Sequence, residues 1–312
     1  YLMATLSLFK VVKIGITRLI GCFKEIYSSF PVFSVLILLM LIMPASVNCL
    51  ADNIELKSGE KFGQRTLFNK IVQSSTGRSP SLTFLMDYFT GTPYVPHTLE
   101  NNETEKLIVR LDAFDCVTYV ETVTALAMMF ATTDHSYESF CKQLTDIRYR
   151  NGIINGYSSR LHYFSDWLHE NEHRGFISNI TEKLGGKPDT RIFSAMSSSY
   201  KRYPMLKENK HLAEIRNIEA NLSKKTFYYL ETTEVKQKSH LIPDCAIIAI
   251  VTSKKSIFIS HVGFARFING KLMFQHASFS HKKVVISKQN LHDYLASDRS
   301  RIGIMVAVIT TE

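Results

Sequence analysis

The 312-residue chain is 45% hydrophobic and 11% aromatic, enough apolar material to bury a sizeable core and too much for an intrinsically disordered protein. Thirty-seven lysines and arginines against 28 acids give a formal charge of +9. Such a field suits an anionic polymer or a membrane surface, but no helix-turn-helix, zinc-finger or aromatic-basic RNA motif accompanies it, so no nucleic acid partner is expected.

Lys10, Lys13, Arg18 and Lys24 precede an apolar run from Val32 to Met43, broken only by Ser34 and followed by Pro44, Ala45 and small residues. A basic region, about a dozen apolar residues and a small-residue site describe an export signal, because a bilayer-spanning helix takes about 20. Cleavage after Ser46 or Ala51 fits; the alternative is an uncleaved signal anchor that keeps residues 32–47 as a membrane tether. A lipoprotein at Cys49 is disfavoured because Asn48 stands where a small residue is wanted. The expected organisation is a leader, residues 1–51, and one exported domain, residues 52–312. Four bases and one acid fall in the leader, leaving +6 for the domain. The expected location is the periplasm or the extracellular space. Of the five cysteines, Cys22 and Cys49 belong to the leader; Cys116, Cys141 and Cys245 are too unevenly spaced for a disulfide framework. Three cysteines leave at least one free thiol in the monomer, and a pairing of Cys141 with Cys245 stays open.

In chain order, Lys61 to Ser74 and Ser81 to Phe89 read as helices, and residues 91–96 (GTPYVP) as a rigid loop punctuated by one glycine and two prolines. Val117, Val120, Val123, Ala127 and Phe130 recur at helical spacing, which puts Cys116 at or near a helix N-terminus. There the first-turn N–H groups and the helix dipole favour a thiolate, and an acidic thiol is expected. A buried cysteine acting as a small hydrophobe is the plainer alternative. A helix follows from Ser136 to Ile147. In residues 148–176, Leu161, Phe164, Trp167 and Leu168 form an apolar stripe, while Arg148, Tyr149, Tyr157, Arg160 and His162 are candidates for a substrate groove, since arginine forks hold carboxylates and aromatics stack on sugars. After a polar helix, Ala213 to Leu222, strands are expected at Ala246 to Val251, His261 to Phe267, Lys271 to Ser278, Lys282 to Ile286 and Ile302 to Ile309. The class is α+β, with N-terminal helices packed on a C-terminal antiparallel sheet.

Asn269-Gly270 is a strong two-residue hairpin signal. It pairs Ile268 with Lys271, sets His261 opposite Ser278, and leaves His276 as the same-face diagonal neighbour of His261, roughly 7–8 Å away between backbones. Such a pair is a metal site, a polar pair without a role, or a catalytic pair. Zinc wants further ligands, and no C-x-x-C or H-E-x-x-H motif supplies them. The catalytic reading joins Cys116 as nucleophile, His261 as general base and His276 as the residue that orients the His261 ring.

Several motifs then accumulate in order: G-T-P-Y at 91–94, F-D-C-V-T-Y-V-E at 114–121, R-Y-R-N-G at 148–152, R-L-H-Y-F-S-D-W at 160–167, S-H-V-G-F-A at 260–265 and H-A-S at 276–278. Together they resemble the N-acetylmuramoyl-L-alanine amidase-like family, within the NlpC-type branch of papain-like cysteine hydrolases, from about residue 60 to the C-terminus. The resemblance implies a papain-like, NlpC-type fold and a triad of Cys116, His261 and His276 with no metal or organic cofactor. It implies cleavage of the amide between muramic acid and L-alanine in peptidoglycan or muropeptides, with Tyr94, Asp115, Tyr149, Arg160 and His162 in or near the cleft. The alternatives are a γ-D-glutamyl-diamino-acid endopeptidase with the same triad and a catalytically silent cell-wall binding protein. One departure stands out: where the family opens the first core strand with Gly-Asp, this chain has Asp244-Cys245-Ala246.

Overall fold

A computed structural model describes residues 58–75, 79–100 and 104–310. The leader, its apolar run, Cys22 and Cys49 lie outside the described residues, among which no helix is long and apolar enough to cross a membrane. Helices α1 (Ser58–Ser74), α2 (Leu82–Tyr88), α3 (Cys116–Phe130), α4 (Tyr137–Arg148) and α5 (Phe164–His173) come first. Two short strands, β1 (Ile177–Asn179) and β2 (Lys187–Asp189), a short helix α6 (Ala195–Ser198) and α7 (Asn209–Leu222) follow. The chain then runs through β3 (Phe227–Glu231), α8 (Thr232–Lys238), β4 (Ile247–Thr252), β5 (Ile259–Ile268), β6 (Lys271–Ser278), β7 (Lys283–Ile286), α9 (Leu291–Ala296) and β8 (Arg301–Ile309).

The strands make one antiparallel sheet in the order β2-β3-β8-β4-β5-β6-β7, with β1 also on β8. The five strands expected at the C-terminal end are all present within one or two residues of their expected limits. Three more, β1, β2 and β3, come earlier in the chain than the expected sheet. β1 and β2 have three residues each, too few for a period to show, and they exist because β8 and β3 offer them an edge.

Both faces of the sheet are covered. Ile247, Ala249 and Val251 of β4 join the larger core under the N-terminal helices, while Ile248 and Ile250 join a second core closed by Val235 of α8 and by Leu291 and Leu295 of α9. Every residue of β4 is buried, which is why its sequence reads as a continuous apolar run and not as an alternation.

Helix α3 packs on β5 and β6 and is buried from Thr118 to Phe130. A helix apolar nearly all round belongs inside a core. Its one carboxylate, Glu121, is paired at 2.8 Å with Arg148 Nε, and Arg148 Nη1 also donates to the Ile108 carbonyl at 2.6 Å. Glu121 and Arg148 are both buried, so each neutralises a charge that would otherwise lie in the core. Arg148→Ala leaves Glu121 unpaired and is expected to cost about 3–5 kcal/mol in denaturant unfolding, whereas Arg148→Met with Glu121→Leu recovers most of that loss.

Candidate active site

Asp115 caps α3. Its side chain accepts the Thr118 N–H at 2.8 Å while Thr118 Oγ1 accepts the Asp115 N–H at 2.9 Å, a reciprocal capping box that sets Cys116 as the first helical residue. Opposite, Asn269 and Gly270 have φ of 50° and 75°, the two left-handed residues of a tight hairpin turn, and Ile268 pairs with Lys271 as the sequence predicts. The same register pairs Phe264 with Gln275, and three residues further along β5 and one along β6, His261 Nε2 lies 2.6 Å from His276 Nδ1. The imidazole planes cross at 85°. His276 stacks on Phe274 at 4.6 Å, which fixes its ring, and the hydrogen bond between the two imidazoles then holds the tilt of His261. With Nε2 taken, Nδ1 is the His261 nitrogen left for other chemistry.

The Cys116 sulfur lies against β5, approached by the backbone N–H groups of Val262, Cys116 and Val117, all of which lower its pKa. Burial and then the Asp115 carboxylate act more strongly and push the thiol up to about 12. The pull of the helix N-terminus toward a thiolate is therefore outweighed, first by burial and then by the capping carboxylate in the first turn. No hydrogen bond joins Cys116 to His261 among the described residues. Both histidines are held below the usual imidazole range, chiefly by burial; Arg301 opposes a proton on either, and His261 and His281 add to the effect at His276.

Two tyrosines flank the sulfur. Tyr94 reaches the site because its residue bridges to Phe114, with Val95 N–H donating to the Phe114 carbonyl at 2.9 Å. Burial, followed by the charges of Cys116 and Asp115, raises its phenol to about 12. Tyr294 of α9 lies 5.4 Å from the His276 ring, with the Arg301 guanidinium 4.3 Å over its own ring; burial raises its phenol, and the Cys116 charge adds to the shift. Sequence reading missed Tyr294 and Arg301. The one available signal was an arginine opening an otherwise apolar strand.

The remaining cleft candidates are placed differently. Tyr149 and Arg160 are buried. Tyr149 donates to Glu105 Oε1 at 2.9 Å, while Arg160 pairs with Glu100 at 2.9 Å and Glu105 at 3.0 Å. His162 Nε2 bonds the Tyr157 carbonyl at 2.8 Å, and its ring lies 4.3 Å from that of Tyr157. The side chains of Tyr149 and Arg160 thus find their partners in Glu100, Glu105 and the Lys106 carbonyl, and that of His162 in Tyr157. Cys116, Cys141 and Cys245 are all free, and among the described residues no three His, Cys, Asp or Glu side chains cluster to hold a metal.

The model of the AmiA-like family, described as N-acetylmuramoyl-L-alanine amidase-like, matches residues 85–304. An N-acetylmuramoyl-L-alanine amidase from Bacteroides uniformis is 34% identical over 74% of this chain and 99% of its own, with a TM-score of 0.71. A Bacteroides fragilis protein provisionally described as a xylanase is 34% identical over 72% and 99%, with a TM-score of 0.69. A Legionella pneumophila protein is 25% identical over 80% and 95%, with a TM-score of 0.61. No curated protein matches the chain.

The depressed imidazoles carry a stability consequence. Unfolded, each histidine takes a proton near pH 6.5, while the folded ones resist, so the unfolded state binds more protons below that pH and stability falls as pH falls. The urea midpoint should drop between pH 7 and pH 4.5, and it should drop less in His276→Gln. An identical pH slope in parent and variant would mean that the pair is not held neutral.

Proposed function

The chain belongs to the N-acetylmuramoyl-L-alanine amidase-like family, and from that membership we propose an exported cysteine amidase of the NlpC-type, papain-like kind that cleaves the bond between the muramic acid lactyl group and L-alanine in peptidoglycan or muropeptides. Residues 1–51 act as the export signal, or as an anchor through residues 32–47. The observation that carries the reading is the 2.6 Å contact of His261 Nε2 with His276 Nδ1, because it leaves His261 Nδ1 as a base whose ring cannot turn away.

In this mechanism the resting pair is a neutral thiol and a neutral imidazole. Bound substrate excludes water, and the Cys116 proton passes to His261 Nδ1 as the sulfur attacks the lactyl carbonyl. N–H groups of the first turn of α3 face the oxyanion. His261 then gives its proton to the departing L-alanine amine, and water, activated by the same nitrogen, hydrolyses the thioester. His276 holds the imidazolium in place and accepts part of its charge through the shared hydrogen bond.

Glycoside hydrolysis, suggested by the description of the Bacteroides fragilis neighbour, generally needs two carboxylates flanking the bond. Beside Cys116 the carboxylate at hand is Asp115, and its oxygen is engaged with Thr118. Amide hydrolysis by the cysteine fits the side chains present.

Mass spectrometry of defined muropeptides should show the purified protein releasing a peptide headed by L-alanine together with intact sugar. Cys116→Ala should abolish release with little change in stability. His261→Ala should lose about 10²–10⁴-fold, and His276→Ala less, because it orients the base without being the base. A cut within the stem peptide would replace the amidase with a γ-D-glutamyl endopeptidase, and full activity in Cys116→Ala would remove the nucleophile.

A further inference from the structure

The turn between β6 and β7 carries an arrangement that packing does not demand. Phe279 is 62% exposed, although it begins three residues after His276. Its ring meets that of Tyr94 edge-on at 5.7 Å, and the Lys282 ammonium lies 3.6 Å over its centroid. Lys282 has a φ of 55°, a left-handed backbone that costs a residue with a Cβ about 1–2 kcal/mol and that glycine would adopt freely. The turn thus keeps a strained lysine over an exposed ring. Such outliers gather at binding sites, where the side chain offsets the strain.

The turn is also fastened to the nucleophile. Lys282 O accepts the Tyr94 N–H at 2.9 Å, Val284 N–H donates to Thr92 O at 2.8 Å and Gly91 N–H donates to Val284 O at 2.8 Å. The 91–94 segment in turn bridges Tyr94 to Phe114, two residues before Cys116. Phe279 and Lys282 therefore move as one wall with Tyr94, on the side of the sulfur reached by the G-T-P-Y loop. Among the described residues no carboxylate pairs with Lys282, and its ammonium rests on the Phe279 ring.

We propose that Phe279 and Lys282 form a specificity subsite for an acidic stem peptide, the Lys282 ammonium pairing with the α-carboxylate of the residue after L-alanine and the exposed Phe279 edge covering the methylenes beside it. The inference rests on the amidase reading for its ligand class, since the residues that follow L-alanine in stem peptides carry free carboxylates. An anionic ligand there would meet an ammonium that the Phe279 ring already holds in place, so a charged hydrogen bond forms with less side-chain ordering.

The test uses N-acetylmuramoyl-L-alanyl-D-glutamate and its α-amide, which differ by one carboxylate. Calorimetry with the full-length Cys116→Ala protein reads binding without turnover. Lys282→Gln should weaken binding of the acid about tenfold and leave the amide unchanged, since one charged contact is lost. Phe279→Ala should weaken both. Lys282→Gly should lose the preference for the acid while raising the unfolding midpoint, which separates lost recognition from lost folding. On the protein with Cys116 intact, the Lys282→Gln loss should appear in KM for the acid. Equal loss on both ligands, no loss on either, or no binding of either by Cys116→Ala would overturn the subsite. Cleavage that is indifferent to Lys282→Gln would overturn the subsite and keep the amidase; binding with the stated preference but no cut by the parent would do the reverse.

Discussion

The register of β5 against β6 is the constraint on which the site depends. Two left-handed residues at the turn set it, and from there alternation carries His261 and His276 to one face. Gly263 keeps the strands close at that point: a Cβ there would lie 2.5 Å from the Gln275 carbonyl oxygen and 2.8 Å from His276 Cβ. A side chain on Gly263 would therefore push against the strand that carries the second histidine. A one-residue slip would separate the rings altogether, and no local rearrangement of side chains could rejoin them. The histidine pair is in this sense a property of backbone geometry, with Phe274 and Tyr294 packed around it to remove the remaining ring freedom.

Electrostatics around the sulfur push against early ionisation. Asp115 stabilises α3 by capping it, and the same carboxylate opposes a thiolate one residue away. Arg301 opposes a proton on either histidine. Both effects favour the neutral thiol and imidazole in the free protein, and both disfavour the same charge-separated pair. In the amidase reading, charge separation then waits for substrate: the proton leaves sulfur as the carbonyl takes up negative charge close to backbone N–H groups. A protonated cysteine is also a poor target for oxidants and alkylating agents, because the thiolate is the reactive form.

What the sequence disclosed was whatever local rules decide. The hairpin turn, the Cys116 helix and the strands of the meander each follow from a short pattern, and so did the pairing of the two histidines. The mixed helical and antiparallel class followed as well. Residues whose meaning depends on a distant partner were harder to place. Arg148, Tyr149 and Arg160 carry the same chemistry in a carbohydrate groove as in a buried ion-pair network. The partners that decide between them, Glu121 for the first and Glu100 and Glu105 for the others, lie 27–60 residues away without any periodic signal. Phe279 and Lys282 were overlooked for a related reason: a turn residue's exposure and its bond to another loop leave no trace in local composition. The thiol's raised pKa has the same origin, since burial by distant segments is its first cause and the capping Asp115 its second.

The departure at Asp244-Cys245 can be placed within the same geometry. Cys245 has a φ of 62°, the conformation a glycine would take at no cost, and its N–H donates to Ala265 O at 3.0 Å. The sulfur lies 3.2 Å from Thr83 Oγ1, a contact glycine could not make. Asp244 accepts the Phe267 N–H at 2.8 Å and sits 3.6 Å from Arg266, which also holds Asp87 at 2.9 Å. The acid thus fastens the start of β4 to the turn end of the β5–β6 hairpin. Phe267 is six residues from His261 along β5, about 20 Å at the rise of an extended strand. At that distance Asp244 does not touch either histidine, and its contribution is to the same hairpin register that places them. Asp244 and Cys245 thus lie at the turn end of the hairpin, while its other end holds the two histidines between Gly263 and the rings of Phe274 and Tyr294.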